Sequence, residues 1–144
     1  MWKKLLVTDE KLWATIPLRI ALGVIFLAHG SQKLFGWFGG KGLIGTAGFF
    51  AGKLGLDPGM FWAFLAGLGE FGGGLLLLLG LFTRFGALLI ALVMLVALFK
   101  VHWGAFFIPT GTEYAFSLFC SALALLIAGG GKFSLDSRMQ KVDR

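Results

Sequence analysis

Met60 to Phe82 reads MFWAFLAGLGEFGGGLLLLLGLF, and the fold of the chain turns on this stretch. It is an apolar run long enough to cross a bilayer, interrupted near its middle by one carboxylate, Glu70. An acid at that depth is costly unless it is neutralised, paired or hydrated, so by default it marks a site. At ~100° per residue, Ala63, Ala66, Gly67, Gly73 and Gly74 fall within about 60° of Glu70 on the helix. A face of such small residues lets a second helix come close or leaves room for a ligand. The rest of the chain has to supply partners for the acid.

The totals agree with a bilayer setting. Of 144 residues, 58% are hydrophobic and 14% charged, against about 25% charged in a soluble domain. The expectation is a single all-α integral membrane domain over residues 1–144. The net charge of +6 does not call for nucleic acid, because most basic residues lie at the ends of apolar runs and set topology. The charged opening MWKKLLVTDEKLW does not read as a removable signal peptide. One cysteine, Cys120, excludes dithiol–disulfide exchange within the chain.

Working outward, residues 1–13 form an amphipathic lead-in, with Trp2, Leu5, Leu6, Leu12 and Trp13 at the interface and Lys3, Lys4 and Lys11 toward anionic headgroups. Four spans are predicted, at about 14–35, 60–82, 85–101 and 113–129, with a tight turn at Thr83-Arg84 and a basic tail over 130–144. A glycine-rich connection, Gly36 to Pro58, carries a short amphipathic helix over 43–54 that is too short to span. It is either a lid over a pocket or a plain re-entry loop. In the first span Arg19, His29 and Lys33 share an arc of about 80°. Arg19 and Lys33 can each snorkel to an interface; His29 cannot, and three polar groups on one face favour a lined interior. In the fourth span Glu113, Ser117, Cys120 and Ala124 make a stripe at helical spacing, with Cys120 read as a small buried hydrophobe.

Four spans put both termini beside the Thr83-Arg84 turn. That side carries nine Lys and Arg residues and the other side four, which makes both termini cytoplasmic. His29, Lys33, His102 and Glu113 then fall in the outer half. Counted from the outer helix ends, Glu70 lies ~16 Å deep, His29 ~9 Å and Arg19 ~24 Å. Two arrangements answer the buried acid. An Arg19–Glu70 pair is the structural one, and it is the expectation taken forward, beside an outer pocket lined by His29 and His102. A Glu70–His29 hydrogen bond, coupled outward to Lys33, His102 and Glu113, is the functional one and would carry protons, as a quinol site requires. The two are compatible. No HExxH, CxxCH or ExxH pattern accompanies the histidines, so no metal or haem is expected.

LRIALGVIFLAHGSQKLFGWFGG, GLGEFGGGLLLLLGLFTRFGALLIALVM, KVHWGAFF and EYAFSLFCSALALLIAGGGKFSLD together resemble the DoxX family of small four-helix membrane proteins, over most of the chain from Leu18 to Asp136. Arg19, His29, Lys33, Glu70, Arg84, His102 and Glu113 match the family's motif positions. The resemblance implies a bacterial inner-membrane protein tied to redox chemistry. Relatives include the large subunit of a thiosulfate:quinone oxidoreductase, members associated with superoxide dismutase and a sulfurtransferase-like protein, and members that accompany catechol and hydroquinone detoxification. The wider grouping passes electrons from cysteine pairs to quinone, and a chain with one cysteine departs from that chemistry.

Two functional readings follow. In the first, the chain is a redox-associated subunit that binds a quinone or a small aromatic or sulfur substrate, with nothing held covalently. Arg19, His29, Lys33, Glu70, His102 and Glu113 line the ligand, and Glu70 and His29 are the catalytic candidates. In the second, it is a non-catalytic accessory or scaffold subunit of a larger membrane complex. Both imply a lipid bilayer and either partner redox subunits or a homo-oligomer.

Overall fold

The computed structural model describes residues 7–107 and 111–142. Six helices follow one another: α1 (Thr15–Phe35), α2 (Gly42–Leu54), α3 (Gly59–Leu79), α4 (Thr83–Lys100), α5 (Thr112–Ala128) and α6 (Leu135–Val142), with a single 3-10 turn at Trp37–Gly39. No strand occurs among the described residues. Among the described residues two helices, α3 and α4, are long and apolar enough to cross a membrane, and α5 is an apolar helix of 17 residues. The main helices close a ring, α1 against α3, α3 against α4, α4 against α5 and α5 back against α1. Leu22, Phe26, Leu77, Ile90, Ala122 and Leu125 fill its middle.

Glycine makes the α1–α3 contact possible. A Cβ on Gly74 would stand 2.7 Å from the Leu27 nitrogen and 2.9 Å from the Gly23 carbonyl oxygen, and one on Gly30 would overlap the backbone of Phe71. Gly69 and Gly73 face α4, Gly69 toward Val93 and Gly73 against Gly86 and Ile90, so the Gly69-xxx-Gly73 pattern packs helices within one chain. Gly30→Val should therefore lower the stability of the detergent-solubilised protein by about 2–3 kcal/mol, read from its unfolding midpoint. Gly72→Ala, where a Cβ meets only open space, should leave it unchanged or raise it by up to about 1 kcal/mol.

These contacts also set the register. Gly30 opposes Phe71 and Leu34 opposes Gly67, so the end of α1 is level with about the eighth residue of α3. The first ~10 Å of α3 project beyond α1, and α2 packs there through Ala47, Phe50 and Leu54 against Ala63. The amphipathic helix expected over 43–54 is present as α2, with Phe50 buried and Phe49 half-buried.

Several boundaries differ from the sequence reading. The chain turns at Gly80 (φ 62°) and Phe82 (φ 44°), so α3 stops at Leu79 instead of 82. Thr83 and Arg84 form the first turn of α4, not a loop. The tail is no loose basic segment: Gly129 to Phe133 folds back and leads into α6. On α5 the buried residues are Ala115, Leu118, Ala122 and Leu125, while Ser117, Cys120 and Ala124 face outward, so Cys120 is exposed, not buried. In a bilayer-compatible helix both faces are apolar, and a stripe of small residues does not say which one turns inward. Of the lead-in, Trp2, Lys3, Lys4, Leu5 and Leu6 lie outside the described residues, as does Arg144 of the tail.

Candidate functional site

The antiparallel register of α1 and α3 decides Glu70's partner. Its side chain is 2% exposed, and Oε2 lies 2.5 Å from Lys33 Nζ, on a side chain 26% exposed. The Arg19–Glu70 pair does not form. Arg19 Nε donates to the Leu77 carbonyl at 3.0 Å, seven residues or ~10 Å along α3 from Glu70. The depth estimate failed because it aligned the outer ends of two helices that are offset by seven residues. Lys33, which reads as a snorkelling residue, is level with Glu70 once that offset is included. His29, one turn earlier on α1, is exposed and lies within electrostatic reach of both Lys33 and Glu70. The three make a buried carboxylate, an ammonium in contact with it and an imidazole at the surface.

Arg19 anchors a second polar group at the opposite end. Besides Leu77, its guanidinium donates to the carbonyls of Gly130 at 2.9 Å, Lys132 at 3.4 Å, Leu78 at 3.4 Å and Phe133 at 3.5 Å. Asp136 caps α4, accepting from the Phe82 N–H at 2.6 Å and the Thr83 N–H at 2.9 Å, where the helix dipole favours an anion. Thr15 Oγ1 donates to the Gly130 carbonyl at 3.0 Å, and the Gly131 N–H donates to Thr8 Oγ1 at 2.5 Å. Arg84 donates to the carbonyls of Leu126 and Val7. This network ties the N-terminal segment, the α3–α4 turn and the C-terminal segment together. It missed notice in the sequence, although Ser134 carried a cap signal: its Oγ accepts the Ser137 N–H at 3.1 Å.

The third feature is a groove of about 350 Å³ between α4 and α5 at the other end of the ring, a cavity open on its outer side, where Phe99, Trp103, Phe106 and Phe116 are exposed. Leu95, Leu98, Phe99, Trp103, Phe106, Thr112, Phe116 and Phe119 line it. His102 and Glu113, both half-buried, adjoin the lining residues Trp103 and Thr112. The predicted pocket between the two histidines is thus divided: His29 sits with Lys33 and Glu70 on α1 and α3, and His102 beside an aromatic cavity on α4 and α5. Trp103 and Phe106 line that cavity with one face and are otherwise exposed, as aromatic residues at an interface are.

A ring of apolar helices with a buried ion pair and lipid-compatible outer faces defines a small all-helical membrane protein. Residues 14–103 match the DoxX family, and the chain belongs to it. It is 33% identical over 122 residues, 85% of this chain and 84% of the relative, to a Bacillus subtilis protein named "Putative oxidoreductase CatD". It is 32% identical over 133 residues, 86% and 89% of the two chains, to an uncharacterized Haemophilus influenzae protein. An uncharacterized membrane protein of Mycobacterium tuberculosis is 31% identical over 143 residues, 89% of this chain and 82% of its own. No solved structure matches the chain.

Proposed function

We propose that this protein is a redox-associated subunit of the bacterial inner membrane that binds a quinone or a related small aromatic ring in the α4–α5 cavity. In this reading α1, α3, α4 and α5 span the bilayer, and both termini are cytoplasmic. The meeting of both terminal segments with the α3–α4 turn supports that topology, as does the basic-residue bias. The cavity is the observation that carries the functional reading: its volume and aromatic lining suit one planar ring. His102 donates to a ring oxygen, and Glu113 takes a proton when the ring is oxidised. The second proton leaves to the outer surface and the two electrons pass to a partner redox subunit, while Lys33, Glu70 and His29 form a separate polar group on α1 and α3. The name of the Bacillus subtilis relative agrees with oxidoreductase chemistry.

Titration of the purified protein with decylubiquinone tests the reading through tryptophan quenching. Saturable quenching is expected, with the Trp103 part of the signal lost in Trp103→Phe. His102→Ala should weaken binding about tenfold, the loss of one hydrogen bond of about 1.4 kcal/mol. Quenching that is linear in quinone, or unchanged by both substitutions, would remove the cavity from the account.

A further inference from the structure

At the end of the ring opposite the aromatic cavity, a cleft of about 330 Å³ opens between the N-terminal segment and α6. Glu10, Lys132, Phe133, Ser137, Arg138 and Lys141 line it. Three cations therefore face one space against a single lining carboxylate, Glu10, whose Oε2 is 2.8 Å from Lys141 Nζ. The nearby Asp136 does not compete for these cations, because both its oxygens are turned inward onto the backbone of Phe82 and Thr83. Arg19 is likewise committed to carbonyls inside the ring. The cleft is left with an excess of positive charge.

Its walls are tied together by one backbone bond and one bond from backbone to side chain. The Lys132 N–H donates to the Leu12 carbonyl at 2.9 Å, and the Thr8 N–H donates to Gln140 Oε1 at 3.1 Å. Lys132 Nζ stands 3.9 Å over the ring of Trp13 and 5.5 Å from that of Phe133. Those two rings meet edge to face at 5.7 Å and are themselves exposed, 58% for Trp13 and 65% for Phe133. Exposed aromatic rings beside a lysine are what a membrane protein presents at headgroup level, with rings toward the acyl boundary and the cation toward phosphate.

We infer that this cleft is a binding site for the phosphate of an anionic phospholipid. The phosphodiester lies among Lys132, Arg138 and Lys141, and its glycerol backbone rests on Trp13 and Phe133. Arg138 supplies a fork of donors to the phosphate oxygens, and the two lysines supply point charges. Zwitterionic lipid carries its own cation into the cleft and is disfavoured there. Glu10 limits the affinity by neutralising Lys141 in the empty site.

Native mass spectrometry of the full chain in detergent, given equal amounts of dioleoylphosphatidylglycerol and dioleoylphosphatidylcholine, tests this. Retention of the glycerol lipid should exceed that of the choline lipid about tenfold or more. The triple substitution Lys132→Gln, Arg138→Gln, Lys141→Gln should abolish the preference, with the elution volume showing that the fold is kept. Glu10→Gln should strengthen it. Lys41→Gln with Lys53→Gln, at the other end of the ring, should leave it unchanged. Equal retention of the two lipids, a preference that survives the triple substitution, or an equal loss on changing Lys41 and Lys53 would overturn the site. Displacement of the lipid by millimolar inorganic phosphate would overturn the lipid assignment in favour of a soluble phosphate.

Discussion

Replacing Lys33 by alanine should cost about 3–5 kcal/mol of stability, because it strips a buried carboxylate of its counter-ion. Glu70 is 2% exposed and Lys33 Nζ, at 2.5 Å, is its ion-pair partner. The cost belongs to the stranded charge more than to the pair itself. The double substitution Lys33→Met, Glu70→Leu should therefore recover most of the loss, since a well-packed apolar pair of similar volume is often as stable as the ions it replaces. Unfolding of the parent protein, Lys33→Met, Glu70→Leu and the double variant in one detergent measures the coupling directly. A loss below about 1 kcal/mol for Lys33→Ala, the level of a surface ion pair, would mean that Lys33 does not hold the acid.

The other large effect is expected at the opposite end. Arg19→Ala should destabilise the protein by about 3 kcal/mol, since it removes the charged donor from the carbonyls of Leu77 and Gly130, which keep only the Gly80 N–H and the Thr15 hydroxyl, and leaves a void where a buried side chain stood. It should also release the C-terminal segment, seen as faster tryptic cleavage at Arg138 and Lys141. Arg19→Lys should rescue little, because one ammonium cannot reproduce a planar fork that reaches carbonyls on both α3 and the segment before α6. Cleavage unchanged from the parent protein would show that Asp136 and the Ser134 cap hold α6 without Arg19.

The sequence reading located the helices to within a few residues because each main one is an apolar run bounded by glycine, proline or charge. It also identified Glu70 as a residue requiring a partner, and its glycine-rich surroundings as a close-packing face. The partner itself was not legible. Choosing between Arg19, His29 and Lys33 requires the offset between α1 and α3, and that offset comes from where Gly30 and Gly74 admit the facing backbone. The α6 clamp was hidden for a different reason. Asp136 acts across 53 residues on the N–H groups of another helix, a relation that no local pattern records. The aromatic cavity needed Ala105 and Phe106 to meet the start of α5, where their carbonyls accept the Thr112 and Glu113 N–H groups, a pairing that periodicity does not contain. Cys120 and its stripe faced outward because a helix with two apolar faces gives hydrophobic patterning no means of choosing between lipid and core.

The most direct test of the account is to purify the protein in gentle detergent at native expression level and extract the eluate for mass spectrometry. About one quinone per chain is expected on the parent protein, and little on Leu98→Trp, which fills the cavity between α4 and α5. A folded parent protein that carries no quinone, yet brings down a fixed set of partner subunits that Leu98→Trp leaves intact, would contradict the account. The chain would then be a scaffold for a larger membrane complex.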